Sequence, residues 1–156
     1  AYQTYVTDNW LGGLYGSSAV LGTKSGGPWA AAWAVMHYLG DEGYLRLTNV
    51  ARTAALRLAD AVEATPGLRL LARPDTTLVA FVAEDPDTLD VHAVADVLWR
   101  DGWYVDRQGP PPSVHCTVNA AHEHTLPEFI DALRAAVAEV RSSATSGTQG
   151  AYGTVD

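Results

Sequence analysis

Between residues 41 and 141 the spacing of apolar residues switches repeatedly between a helical repeat and a strand repeat, which limits the chain to a mixed fold. Leu45, Leu47, Val50, Ala54, Leu58, Ala61 and Val62 hold a helical period, predicting a helix over 42–64 that Pro66-Gly67 ends. Asp41 is placed to cap it. Gly40 and Gly43 separate it from an earlier helix beginning near Pro28, with Trp29, Trp33, Met36 and His37 on one face. Leu68–Ala72 and Thr76–Ala83 are rich in apolar and β-branched residues, and Arg73-Pro74-Asp75 supplies the turn between them. Thr88 or Asp90 opens another helix, with Val91, Val94, Ala95, Leu98 and Trp99 on one face, and Gly102 stops it. Trp103–Asp106 and Ser113–Val118 read as strands around Pro110-Pro111-Pro112. A last helix, over Leu126–Arg141, is apolar at Phe129, Ile130, Leu133, Val137 and Val140. Helix, two strands, helix, two strands, helix predicts an α+β layer with helices packed on a short sheet.

The flanks do not fit this pattern. Residues 1–28 are rich in Gly and Ser, poor helix and poor continuous strand, and read as connecting structure that something else must hold. The end of the chain, SSATSGTQGAYGTVD, is polar, with a single Tyr152. Both flanks suggest a part of something larger.

Charge and composition narrow the function. The 156 residues carry 10 Lys plus Arg against 18 Asp plus Glu, a formal net charge of -8. Such a surface repels phosphate backbones at long range, so nucleic acid is excluded as a partner. The single cysteine, Cys116, cannot form an internal disulfide. The longest apolar stretch, near Pro28 to Met36, is far below the roughly 20 residues of a membrane span. With no signal-peptide pattern at the start, the expectation is a soluble, cytoplasmic chain.

The chemistry-bearing residues give one suggestive cluster. His122-x-His124 near Cys116 lacks paired metal-ligand spacing, and surface or partner-packing histidines are the expectation, with no metal. No G-x-S-x-G accompanies the serines and histidines, and GTKSGG lacks the spacing of a Walker loop. Trp29, Trp33, Trp99 and Trp103 read as core or interface packing. GTKSGGP, however, places the hydroxyls of Thr23 and Ser25 and the ammonium of Lys24, the chain's only lysine, just before a helix N-terminus. Those are the ingredients of an anion cradle, although an ordinary helix lead-in with an exposed lysine has the same composition.

Longer motifs carry a resemblance. DNWLGGLYGSSAVLGTKSGGPWAAAWAVMHYLGDEGY shows D-x-W-x-G-G-x-Y-x-S, then G-[ST]-[RK]-x-G-G, then a helix ending in G-x-x-G-Y. Further on stand GWYVDRQGPPPSVHCTVNAAH and the terminal GAYGTVD. This pattern resembles the sphingosine-1-phosphate lyase family of the group II decarboxylases, among the fold-type I pyridoxal-phosphate enzymes, and covers nearly the whole chain. The family's D-x-H-K motif, whose lysine forms the Schiff base with the cofactor, does not occur here, and Lys24 stands in a different motif. The resemblance therefore implies a C-terminal portion, inactive by itself. Residues 1–28 would close the large cofactor domain, 29–64 form linker helices, 65–141 the small domain and 142–156 a flexible tail.

The resemblance also implies roles. Tyr15 would line the substrate channel, and Thr23, flanked by Lys24 and Ser25, would reach the pyridoxal 5'-phosphate phosphate of the neighbouring subunit, which requires a homodimer. Tyr152 would approach the active site from the tail. His115 stands where relatives of the superfamily commonly carry an Arg, some of them to hold a substrate carboxylate. A lyase acting on a 2-amino-alcohol phosphate has no carboxylate to hold, and His suits it, although simple packing of His115 is the plain alternative. The implied reaction is retro-aldol cleavage between C2 and C3, with the pyridinium ring accepting the electrons. An amino-acid decarboxylase of the same group and a non-catalytic module derived from the small domain are the alternatives.

Overall fold

The computed structural model describes residues 5–9, 11, 13–17, 24–143 and 146–148. Its contacts divide the chain into two compact units, Ala1–Asp41 and Glu42–Asp156.

In the first unit, β1 (Tyr5–Thr7) pairs antiparallel with β2 (Tyr15–Ser17), Tyr5 opposite Ser17 and Thr7 opposite Tyr15. The Gly- and Ser-rich start thus contains a short hairpin where the sequence predicted no continuous strand. Three residues per strand carry too little alternation to be read by period, and Gly13, at φ 92°, supplies the left-handed bend inside the connection. Helix α1 (Gly26–Glu63) begins just before Pro28 and crosses into the second unit. It is broken at Gly40, whose φ of 58° and ψ of -177° are not helical. That region is nearly closed to residues with a Cβ, so the glycine itself makes the break. Gly43, predicted to share in the interruption, is instead a buried helical residue. Trp29, Trp33 and Met36 are exposed, and the Trp33 and His37 rings lie 4.3 Å apart one turn from each other.

The second unit is the predicted α+β layer. β3 (Leu68–Leu70), β4 (Leu78–Ala83), β5 (Asp106–Gln108) and β6 (Ser113–Thr117) form an antiparallel sheet in the order β3-β4-β6-β5. Val79, Phe81 and Val114 project to one face and are fully buried with Leu58 and Val62 of α1, Leu98 of α2 (Val91–Arg100) and Leu133 of α3 (Leu126–Ser143). Gly67, at φ 94°, turns the chain from α1 into β3.

Helix α2 starts where the sequence chemistry places it. The Asp90 carboxylate accepts the backbone N–H groups of His92 and Ala93 at 2.8 and 3.4 Å, and a positive-φ Gly102 follows the end. Asp90 also accepts the Gly147 N–H at 2.8 Å, and Asp96 accepts that of Thr148 at 2.7 Å, so 146–148 lie along this helix. A Cβ at Gly147 would collide with the backbone of His92 and Ala93. Arg100 spans from α2 to α3, its guanidinium donating to both oxygens of Glu139 at 2.6 and 3.0 Å.

One expectation is corrected. The strand predicted over Trp103–Asp106 begins only at Asp106, because Trp103 turns inward and packs edge-on against Phe129 with centroids 5.4 Å apart. Trp99 is 63% exposed and meets Tyr104 edge-on at 5.6 Å.

Candidate active-site residues

The alternation of β5 and β6 builds the most chemically loaded patch of the second unit. Arg107 turns toward the helices and pairs with Asp96 of α2, so its neighbour Asp106 turns to the other face of the sheet. In β6, Val114 enters the core and His115 takes the same outer face as Asp106. The register sets Asp106 directly opposite His115, with Ala80 of β4 on the other side. His115 Nδ1 lies 3.7 Å from Asp106 Oδ2, while Asp106 Oδ1 accepts a hydrogen bond from the Tyr104 hydroxyl at 2.8 Å. A cleft of about 310 Å³ adjoins them, with Trp103, Tyr104, Asp106, His115, His122 and Phe129 on its walls. Such a patch offers an imidazole, a carboxylate and a phenol for hydrogen bonding beside apolar surface.

Asp106 and Tyr104 were not singled out from the sequence. The signal that finds them is the hairpin around Gly109 to Pro112, which brings 106 opposite 115 only once the β5 register is known.

Cys116 projects to the core side of β6, next to His115 in sequence. Burial, with a smaller contribution from the Asp106 carboxylate, pushes its thiol up to about 12, which disfavours the reactive thiolate at neutral pH. His92 donates from Nε2 to the Gln108 carbonyl at 3.1 Å, tying α2 to β5. His122 accepts the Asn119 N–H on Nδ1 at 3.1 Å, while the Asn119 side chain accepts the Ala121 N–H at 3.0 Å, closing a capping box around the short 3₁₀ turn Ala120–Glu123. Among the described residues no cluster of three His, Cys, Asp or Glu side chains has metal-binding geometry.

In the first unit, Tyr15 sits in β2, its ring 6.5 Å from that of Tyr5. Lys24 and Ser25 are exposed immediately before α1, and the Ser25 hydroxyl accepts the Gly27 N–H at 3.4 Å. The first turn of α1 carries no acidic residue, and a Cβ at Gly26 would meet nothing within 4 Å. An ammonium, a hydroxyl and a helix N-terminus whose first turn carries no carboxylate fit the phosphate end of pyridoxal phosphate. Thr23 and Tyr152 lie outside the described residues.

Similarity to known proteins agrees with this architecture. A scan against protein-family models gives no match. Glutamate decarboxylase of Lactobacillus brevis, 19% identical, superposes with a TM-score of 0.73 over 90% of this chain and 34% of its own. The fold is thus that of the C-terminal portion of fold-type I pyridoxal-phosphate enzymes. Sphingosine-1-phosphate lyase of Burkholderia pseudomallei superposes with a TM-score of 0.77 at 32% identity, over 92% of this chain and 32% of its own. Sphingosine-1-phosphate lyase of Arabidopsis thaliana is 34% identical over 155 residues, 97% of this chain and 28% of its own. The chain is accordingly a homologue of the sphingosine-1-phosphate lyases over nearly all of its residues, and it spans about a third or less of the length of these relatives.

Proposed function

We propose that this chain is the C-terminal part of a pyridoxal-phosphate-dependent carbon–carbon lyase that cleaves a 2-amino-alcohol phosphate to an aldehyde and phosphoethanolamine. The observation that carries the reading, beside the homology, is His115 on the outer face of the sheet with a carboxylate across from it. A substrate carboxylate would be repelled by Asp106 and would find no guanidinium among the described residues that line the cleft, whereas a hydroxyl can hydrogen-bond to the imidazole. This favours the lyase over the decarboxylase of the same group.

When bound, the cofactor supplies an electron sink for cleavage of the bond between C2 and C3. Lys24, Ser25 and the N–H groups opening α1 bind its phosphate dianion, with Thr23 as a further hydroxyl donor, in the neighbouring subunit of a homodimer. Tyr15 lines the channel by which substrate enters. His115 orients the substrate hydroxyl. The lysine that holds the cofactor comes from an upstream domain, and these residues by themselves are inactive.

The test uses the parent enzyme loaded with pyridoxal phosphate and a long-chain 2-amino-alcohol phosphate. Release of phosphoethanolamine that falls at least tenfold in His115→Asn and Tyr15→Phe supports the reading, a loss the size of one or two oriented contacts at roughly 1.4 kcal/mol per factor of ten. Carbon dioxide released from an amino acid, with no phosphoethanolamine, replaces it by the decarboxylase.

A further inference from the structure

We infer that Asp106 is a positioning residue that sets which nitrogen of His115 carries the proton, and that Tyr104 holds Asp106 in place for this task. The inference deepens the lyase reading and rests on it for the identity of the substrate group, a hydroxyl.

Four residues form the chain of contacts. The Trp99 ring meets Tyr104 edge-on at 5.6 Å. The Tyr104 hydroxyl donates to Asp106 Oδ1 at 2.8 Å, which leaves Oδ2 as the oxygen directed at His115. Asp106 and His115 are directly opposite cross-strand partners on one face, an arrangement that brings two side chains within reach of each other. Their 3.7 Å separation is longer than a hydrogen bond, as such contacts often are before substrate arrives.

The chemistry follows from the carboxylate being an acceptor only. Facing Nδ1, it favours the tautomer with hydrogen on Nδ1, so Nε2 keeps its lone pair. A neutral imidazole presenting a lone pair accepts a hydrogen bond from a hydroxyl and gives nothing to a carboxylate. Asp106 is therefore a determinant of substrate class, acting through His115. Among the described residues no other charged group lies within ion-pair distance of Nδ1: Ala80 stands on the β4 side, and Arg107 points to the opposite face, toward Asp96.

Long-range proton–nitrogen NMR of the 15N-histidine-labelled chain reads the tautomer directly. The expected result is hydrogen on Nδ1 of His115, reverting toward Nε2 in Asp106→Asn and shifting part of the way in Tyr104→Phe, which retains the ring and its packing. Hydrogen on Nε2 in the unaltered chain, or a tautomer unmoved by Asp106→Asn, overturns the inference. In the loaded parent enzyme, Asp106→Asn lowers kcat for phosphoethanolamine release by roughly tenfold with a smaller change in KM, while Asp131→Asn, on exposed α3 surface, leaves both unchanged. A parent enzyme that releases no phosphoethanolamine overturns the hydroxyl-accepting role together with the lyase reading. An active enzyme with the reversed tautomer overturns the role of Asp106 and leaves that reading standing.

Discussion

Arg107 of β5 and Asp96 of α2 form an ion pair that locks the edge of the sheet to the helix above it. The Arg107 side chain is 15% exposed and its Nε has no hydrogen-bond partner among the described residues, so the guanidinium depends on Asp96. Burial alone would raise the Asp96 carboxyl, but the Thr148 backbone N–H and hydroxyl, together with the Arg107 charge, outweigh it and hold the group below its ordinary 3.8.

A depressed carboxyl contributes stability that is full above the unfolded-state value and disappears as pH falls through the folded one. Asp96→Asn is therefore expected to lower the urea midpoint at about pH 7, with a cost of roughly 1–2 kcal/mol given partial exposure. The difference from the unaltered chain should shrink as pH drops below 3.8. A difference that stays constant from neutral pH into acid would contradict this account of the pair.

Gly40 offers a backbone test. Its φ of 58° with an extended ψ lies where a Cβ is poorly tolerated, although nothing lies within 4 Å of where that Cβ would stand. Gly40→Ala should cost about 1–3 kcal/mol through the backbone alone. Thermal unfolding followed by circular dichroism would measure it, and an unchanged or raised Tm would show that the break does not depend on glycine.

Phe81 is fully buried at the centre of β4, in contact with the layer of helices. Truncation to Ala should cost about 3–5 kcal/mol, a large share of the stability of a domain this size, and replacement by Leu much less. Denaturant titration of both variants distinguishes a packed core from a loosely filled one, in which the two would differ little.

The turn after β6 depends on reciprocal bonds between Asn119 and the residues it precedes. Asn119→Ala should destabilise by about 1 kcal/mol, since the Ala121 N–H loses its acceptor. His122→Ala removes the other half of the box and should cost a similar amount, without further loss in the double variant beyond the sum for both. Denaturation midpoints of the three variants decide whether His122 is structural.

The legible parts of the fold were those with local chemistry. Asp90 and Gly102 bracket α2 because capping and left-handed residues act within one turn, and the α3 period is long enough to be read directly. The hairpin at Tyr5–Thr7 and Tyr15–Ser17 escaped because three-residue strands show no usable period. At the candidate site, His115 could be picked out through a motif, but Asp106 could not. Its importance comes from register, and the start of β5 was displaced by Trp103, whose apolar ring looks like strand in the sequence and belongs to contact with α3. Tyr104 was missed for the same reason.

The protonated, half-covered thiol of Cys116 has a practical corollary. A maleimide reacts with thiolate, and at neutral pH this side chain presents almost none. A second cysteine introduced on the surface would therefore take up a fluorophore or spin label selectively, without first removing the native one. The chain is in effect already prepared for distance measurements from any chosen position, including between two copies of itself.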